Sequence, residues 1–188
     1  KWINGHGTAM GGIIVDGGNF DWRNGRFPNI DGPCEGYHGL NLCDAFGNAA
    51  FIAKCRVDGL RDLGTCPSAF DSYLMALGLE TLSLRASHQV KSARRIAEFL
   101  RDAPEVKSVS YIGFADNPWH ANAARYFRFD GDGPVISAEL QGDTDTTARF
   151  VEALQLAAHM TMIGDSITVV THPASTTHKQ LSASDLIK

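Results

Sequence analysis

Three places along the chain collect residue types that could do chemistry. Gly5-His6-Gly7-Thr8 is glycine-rich, and such a stretch can turn successive backbone N–H groups toward a phosphate. It has neither the Walker spacing nor G-x-G-x-x-G, so by itself it reads as a tight turn ahead of a strand. His172 and His178 bracket Pro173-Ala174-Ser175-Thr176-Thr177. That spacing is not the H-E-x-x-H of a zinc helix, and no nearby carboxylate completes a ligand set, so no metal site is expected. The three hydroxyls could line a ligand site or simply solvate a loop after a strand. Cys34, Cys43, Cys55 and Cys66 contain no C-x-x-C pair and match neither a zinc ribbon nor a disulfide scaffold. They read as reduced, mostly buried thiols of a cytoplasmic protein. No Gly-x-Ser-x-Gly elbow occurs. Lys1 carries no signal of its own, because a lysine is usually a solvated surface charge.

Hydrophobic spacing predicts the elements that must position these groups. Gly12–Val15 reads as a short buried strand, with β-branched Ile13, Ile14 and Val15 ended by Asp16-Gly17-Gly18. From Asn19 to about Asp44 the chain is expected to be a long loop with interleaved Phe20, Trp22, Phe27 and Tyr37. A loop of that length in a compact domain is usually functional or buried in an interface. Ala45–Leu63 reads as a helix weakened by Gly59. Ser68 is the expected N-cap of a helix carrying Phe70, Tyr73, Leu74 and Leu77, in which Gly78 costs about 1 kcal/mol relative to Ala. A second amphipathic run covers Ser87–Arg101, continuous with the first or broken from it. Beyond Pro104, strands are expected at Val106–Ile112, Val135–Leu140 and Ile167–Thr171. Helices are expected from Asn117-Pro118 to Tyr126 and from Asp145 to about Leu156, with another starting at Ser182. The alternation describes a small sheet covered by helices, an α/β arrangement.

Bulk properties exclude several classes. The 188 residues are 44% hydrophobic with a net charge of −4, which fits one globular domain or pieces of two. The acidic balance and lack of a basic stripe argue against nucleic acid as a partner. No run of about 20 apolar residues exists, so no membrane span is expected. The chain opens on Lys1 without a lead-in and ends within an expected helix, so a fragment of a longer polypeptide is expected.

Read together, several stretches resemble the Cys/Met-metabolism pyridoxal-phosphate enzymes. Lys1-Trp2-Ile3-Asn4-Gly5-His6-Gly7-Thr8 resembles the segment that begins at the Schiff-base lysine of that family, and Gly11-Gly12-Ile13-Ile14-Val15-Asp16 and Gly18-Asn19-Phe20-Asp21-Trp22 continue the likeness. The long loop ending in Tyr37-His38-Gly39 resembles an insertion of the branch that sulfhydrylates O-acetylhomoserine. Gly59–Gly64, Gly78–Arg85 and Thr171–His178 are similar to the same branch.

The resemblance implies a fold type I pyridoxal-phosphate-dependent transferase. Residues 1–65 would be the end of the large cofactor-binding domain, including the insertion loop. Residues 66–188 would be an interdomain helix and an incomplete C-terminal α/β domain. Pyridoxal 5′-phosphate is the implied cofactor and Lys1 the residue that carries it and moves protons. O-acylhomoserine and sulfide or a thiol are the implied substrates. A homo-oligomer built as a dimer of dimers, together with the missing N-terminal part of the same polypeptide, would be the partners. Met162 stands where relatives often carry Ser or Asn near the substrate carboxylate, so a backbone contact is implied there, and Thr177 is assigned to the same side of the site. The cofactor's other anchors and the substrate-gripping arginine would lie outside this chain, so the fragment alone is expected to be inactive. Rival readings keep the fold with another substrate, namely O-succinylhomoserine sulfhydrylation or γ-elimination from cystathionine or methionine. A further one makes the chain a non-catalytic homologous subunit.

Overall fold

A computed structural model of the chain describes residues 1–128, 131–182 and 185. It divides into two compact units. One comprises Lys1–Met10 with Phe70–Lys188, the other Gly11–Ala69.

The Gly11–Ala69 unit departs most from the sequence expectations. Gly12–Val15 forms no strand, and Ile13, Ile14 and Val15 are 76%, 63% and 82% exposed. A strand is held by ladder bonds to a neighbour, and among the described residues no segment pairs with this one. The expected long loop contains two short α-helices, α1 (Pro28–Asp31) and α2 (Leu42–Phe46), with a single 3-10 turn at Glu35–Tyr37 between them. Two of its aromatics, Trp22 and Phe27, are half-buried and pack with Phe51 on a core of Ile30, Leu42, Cys43 and Ala50, whereas Phe20 stays exposed. The Trp22 and Phe51 rings stack at 5.0 Å. Asn41 starts α2 by accepting from the N–H groups of Cys43 and Asp44 while its amide donates to the Asp31 carbonyl at 2.7 Å.

The helix expected over Ala45–Leu63 is not continuous. Gly47 ends α2 at φ +51°, α3 runs from Ala50 to Lys54, and a wider π-helical stretch covers Cys55–Asp62. Glycine supplies that positive φ without steric cost. The four cysteines are free, and burial pushes the Cys43 thiol above its ordinary value, as for an inert interior side chain.

In the other unit, α4 (Ala69–Glu80) and α5 (Leu82–Asp102) are separate helices that break at Thr81. Ala93 and Ala97, one turn apart on α5, are buried against Tyr111 and Phe114. Strand β1 (Val106–Ser110) pairs antiparallel with β2 (Ser137–Leu140), with a register shift between Val106 and Ser108 that interrupts the expected alternation. Helix α6 (His120–Tyr126) begins later than Asn117-Pro118, because Asn117 closes a turn by accepting from the N–H of Trp119. Helix α7 runs from Thr144 to Ala153. A second pair, β3 (Ala158–His159) and β4 (Val169–Val170), is parallel, and its first strand was not foreseen. Most of the helix expected from Ser182 lies outside the described residues. Among those described, no helix is long and apolar enough to cross a membrane, and no cluster of His, Cys, Asp and Glu could hold a metal ion.

The cap of α7 corrects another expectation. It is Asp143, not Asp145, whose Oδ1 accepts from the backbone N–H of Thr146 at 2.9 Å and its hydroxyl at 2.6 Å. These bonds favour the ionised carboxylate and hold it below the ordinary range. Because the folded value is depressed, the stabilisation is present above the unfolded value of about 3.9 and fades as pH falls through the folded one. Asp143→Asn is therefore expected to flatten the acid side of the melting-temperature profile below about pH 4, read by circular dichroism. An unchanged acid limb would remove Asp143 from that role.

Candidate active site

The segment after Lys1 is built as a compact turn. The Gly5 N–H donates to the Lys1 carbonyl at 2.8 Å, and Gly5 and Gly7 sit at φ +71° and +65°. Asn4 is the centre of the turn and only 2% exposed. Its Oδ1 accepts from the N–H groups of His6 (3.2 Å) and Thr8 (3.3 Å) and from the Thr8 hydroxyl (3.2 Å). Its amide donates to the Leu74 carbonyl on α4 at 3.3 Å. His6 Nδ1 lies 2.7 Å from the Asn4 carbonyl oxygen. The polar groups of a buried asparagine are thus satisfied locally, which fixes the direction in which the turn leaves Lys1.

Helix α4 and the Met162–Ser166 segment close on this turn from within the same unit. A methyl group at Gly78 would lie 2.6 Å from Asn4 Cα and closer still to the carbonyl oxygens of Ile3 and Asn4, so the absent side chain is what admits the turn. Gly164, at φ +74°, lies under Trp2, where a methyl group would come within 2.9 Å of the indole Cγ. The Ser166 N–H donates to the Gly5 carbonyl at 2.8 Å, and Gln89 of α5 holds the Asp165 carbonyl at 2.7 Å. Arg85 of α5 donates to the carbonyls of Trp2 and Ile3 at 3.2 Å each, to that of Gly78 at 2.6 Å and to the Thr81 hydroxyl at 3.2 Å.

Lys1 itself is exposed, and among the described residues no carboxylate pairs with its amine. Met162 comes close to the turn: a methyl group on Gly7 would lie 3.3 Å from Met162 Cε and 3.0 Å from Asp165 Oδ2. Thr177 lies elsewhere, in an exposed turn after β4, with its hydroxyl 2.9 Å from His178 Nδ1. His172 is buried and 2.8 Å from the Ser175 hydroxyl, and its carbonyl accepts from Thr176 at 2.8 Å, so the hydroxyl-rich stretch mainly ties down its own loop. Sequence reasoning gave Asn4, Gln89 and Asp165 no individual role, and treated Gly78 as a helix weakness and as the start of a stretch similar to the family, not as a packing contact. Gly78 did leave a signal, since a glycine inside an amphipathic helix implies close backbone approach.

Solved structures define the class. A Campylobacter jejuni protein assigned as O-acetylhomoserine (thiol)-lyase, bearing N′-pyridoxyl-lysine-5′-monophosphate, matches with a TM-score of 0.86 and 33% identity, over 100% of this chain and 45% of that one. Cystathionine gamma synthase from Xanthomonas oryzae, solved with aminoacrylate and cysteine, matches at 0.70 and 28% identity, over 98% of this chain and 39% of that one. The expected α/β class, fold type I of the pyridoxal-phosphate-dependent enzymes, is the one found. The profile of the Cys/Met metabolism PLP-dependent enzymes matches residues 1–188, and the chain belongs to that family.

Among curated relatives, O-acetyl-L-homoserine sulfhydrylase 1 of Thermus thermophilus is 46% identical over 97% of this chain and 43% of its own length. O-acetyl-L-homoserine sulfhydrylase of Leptospira meyeri is 40% identical over 100% of this chain and 44% of its own length. Homocysteine synthase of Schizosaccharomyces pombe is 42% identical over 100% of this chain and 44% of its own length. The chain therefore spans less than half the length of these relatives. Its own residues fit the family's cofactor in one respect: Lys1 supplies the primary amine that an aldehyde requires, and it leads into a turn with glycines at positive φ.

Proposed function

We propose that the protein containing this chain converts O-acetylhomoserine and sulfide to homocysteine and acetate. The observation that carries the reading is Lys1, an exposed amine heading a glycine turn in a chain similar to proteins named O-acetyl-L-homoserine sulfhydrylase. In this γ-replacement the Cγ–O bond breaks with acetate as leaving group, and sulfide forms the Cγ–S bond. Pyridoxal phosphate, when bound, supplies the electron sink that lets the substrate lose its Cα proton.

Lys1 Nζ would hold that cofactor and, when free, would accept the Cα proton as a general base. Either role uses the lone pair of the neutral amine. Met162, beside Gly7, is assigned to the substrate side of the turn through a backbone contact, and Thr177 is assigned to the substrate on the family resemblance alone. The reading includes residues 1–65 as the end of the large domain and 66–188 as the interdomain helix and part of the small one. It also includes a cytoplasmic homotetramer completed by the N-terminal part of the polypeptide.

Product analysis of the complete protein tests the reading. With O-acetylhomoserine and sulfide, homocysteine and acetate are expected in equal amounts, with little turnover when sulfide is omitted. Release of ammonia and a keto acid, whether or not sulfide is present, would make the protein a lyase. Preference for the succinyl ester would reassign the leaving group.

A further inference from the structure

We propose that Arg85 is a positioning residue that sets the Lys1 amine toward the cofactor, an inference resting on the reading of Lys1 given above. Arg85 directs its donors at neutral oxygens: the carbonyls of Trp2, Ile3 and Gly78 and the hydroxyl of Thr81. No carboxylate pairs with it among the described residues. Two of the carbonyls belong to the two residues that follow Lys1, and the third lies in the last turn of α4, where a cation is favoured by the helix dipole. A planar fork with donors in fixed directions can hold several oxygens at once, which a lysine ammonium cannot match. One side chain therefore ties the backbone leaving Lys1 to the end of a helix.

Two glycines support the same assignment independently. A methyl group on Gly5 would lie 2.9 Å from Arg85 Nη2 and closer to the rest of the guanidinium, so the turn lies directly against that plane. Gly78 supplies both the space for Ile3 and Asn4 and one of the carbonyls Arg85 holds. The amine at the end of a flexible side chain is only as well placed as its Cα, and an error of about 1 Å in a reacting group can cost about a hundredfold. Arg85 holds the Trp2–Ile3 and Ile3–Asn4 peptide groups while the Gly5 N–H holds the Lys1 carbonyl, and together these bonds restrain that Cα.

The test uses Arg85→Gln and Arg85→Lys in the complete protein, with pyridoxal phosphate as the probe. Borohydride trapping followed by peptide mass spectrometry gives the concentration that half-loads Lys1, and amide hydrogen exchange follows Gly5, whose N–H bonds the Lys1 carbonyl. Both variants are expected to keep the melting transition, raise the half-loading concentration about tenfold, equivalent to about 1.4 kcal/mol, and speed exchange at Gly5. Arg85→Lys serves should the glutamine variant unfold, since it keeps the charge and most of the stem. Folded variants that load like the wild type overturn the proposal alone. A wild-type protein that never forms an adduct at Lys1 overturns the reading of Lys1, and the proposal with it, whatever Gly5 does.

Discussion

Lys1→Ala in the complete protein is expected to lose at least about a thousandfold in turnover, because one amine serves both to hold the cofactor and to move the Cα proton. Lys1→Arg should lose as much. A guanidinium keeps the positive charge but stays protonated across the working pH range, so it can neither condense with an aldehyde nor act as a base. The pair separates an amine that reacts from a charge that merely attracts phosphate. Steady-state rates with sulfide, together with mass spectrometry of the peptide spanning position 1 after borohydride, would measure both effects. Lys1→Arg activity within a few fold of the wild type would reduce Lys1 to an electrostatic contact and end the proposed chemistry.

The second large effect is expected at Gly78, and its sign opposes simple helix propensity. Alanine is better than glycine in a helix interior by about 1 kcal/mol, so Gly78→Ala would ordinarily stabilise α4. Here the added carbon would enter the space occupied by the carbonyl oxygens of Ile3 and Asn4, with Asn4 Cα only 2.6 Å away. Those are backbone atoms already fixed by Arg85 and by the Asn4 hydrogen bonds, so they cannot swing aside as a flexible side chain would. Overpacking of this kind costs about 1–3 kcal/mol, enough to outweigh the propensity gain. A lowered midpoint in denaturant titration is expected, together with weaker cofactor loading at Lys1. A raised midpoint with unchanged loading would mean the turn does not rest on the helix as described.

The contrast at Gly78 indicates which features were legible along the chain and which were not. Helices α4, α5 and α7 follow from apolar residues at three- and four-residue spacing, a local property that survives in one dimension. β1 was expected from the alternation of Val106–Ile112 after Pro104 and β2 within Val135–Leu140; both form because each finds the other as its partner inside the chain. Gly12–Val15 has the composition of a strand yet forms none, because strand formation depends on a partner edge that its own residues cannot specify. Trp22 and Phe27 of the Asn19–Asp44 stretch were visible as residues, but their packing on Ile30 and Leu42 depends on how the loop folds back. Asp143 and Asp145 are equally plausible caps in sequence, and only the extended backbone at Asp143 decides between them.

For the candidate site, the amino-acid sequence by itself supplied the glycines of the opening turn and the family likeness of residues 1–8, and that likeness is what nominates the Lys1 amine. Those depend on residue type and spacing, which are fully written in the chain. What only the tertiary structure decided is how the amine's backbone is held: Arg85, Gly78 and Leu74 are more than 70 positions away from Lys1 in the chain. They meet the turn through packing and directed hydrogen bonds. Met162 joins them at Gly7 while Thr177 does not, because proximity across so many residues is a consequence of folding rather than of spacing.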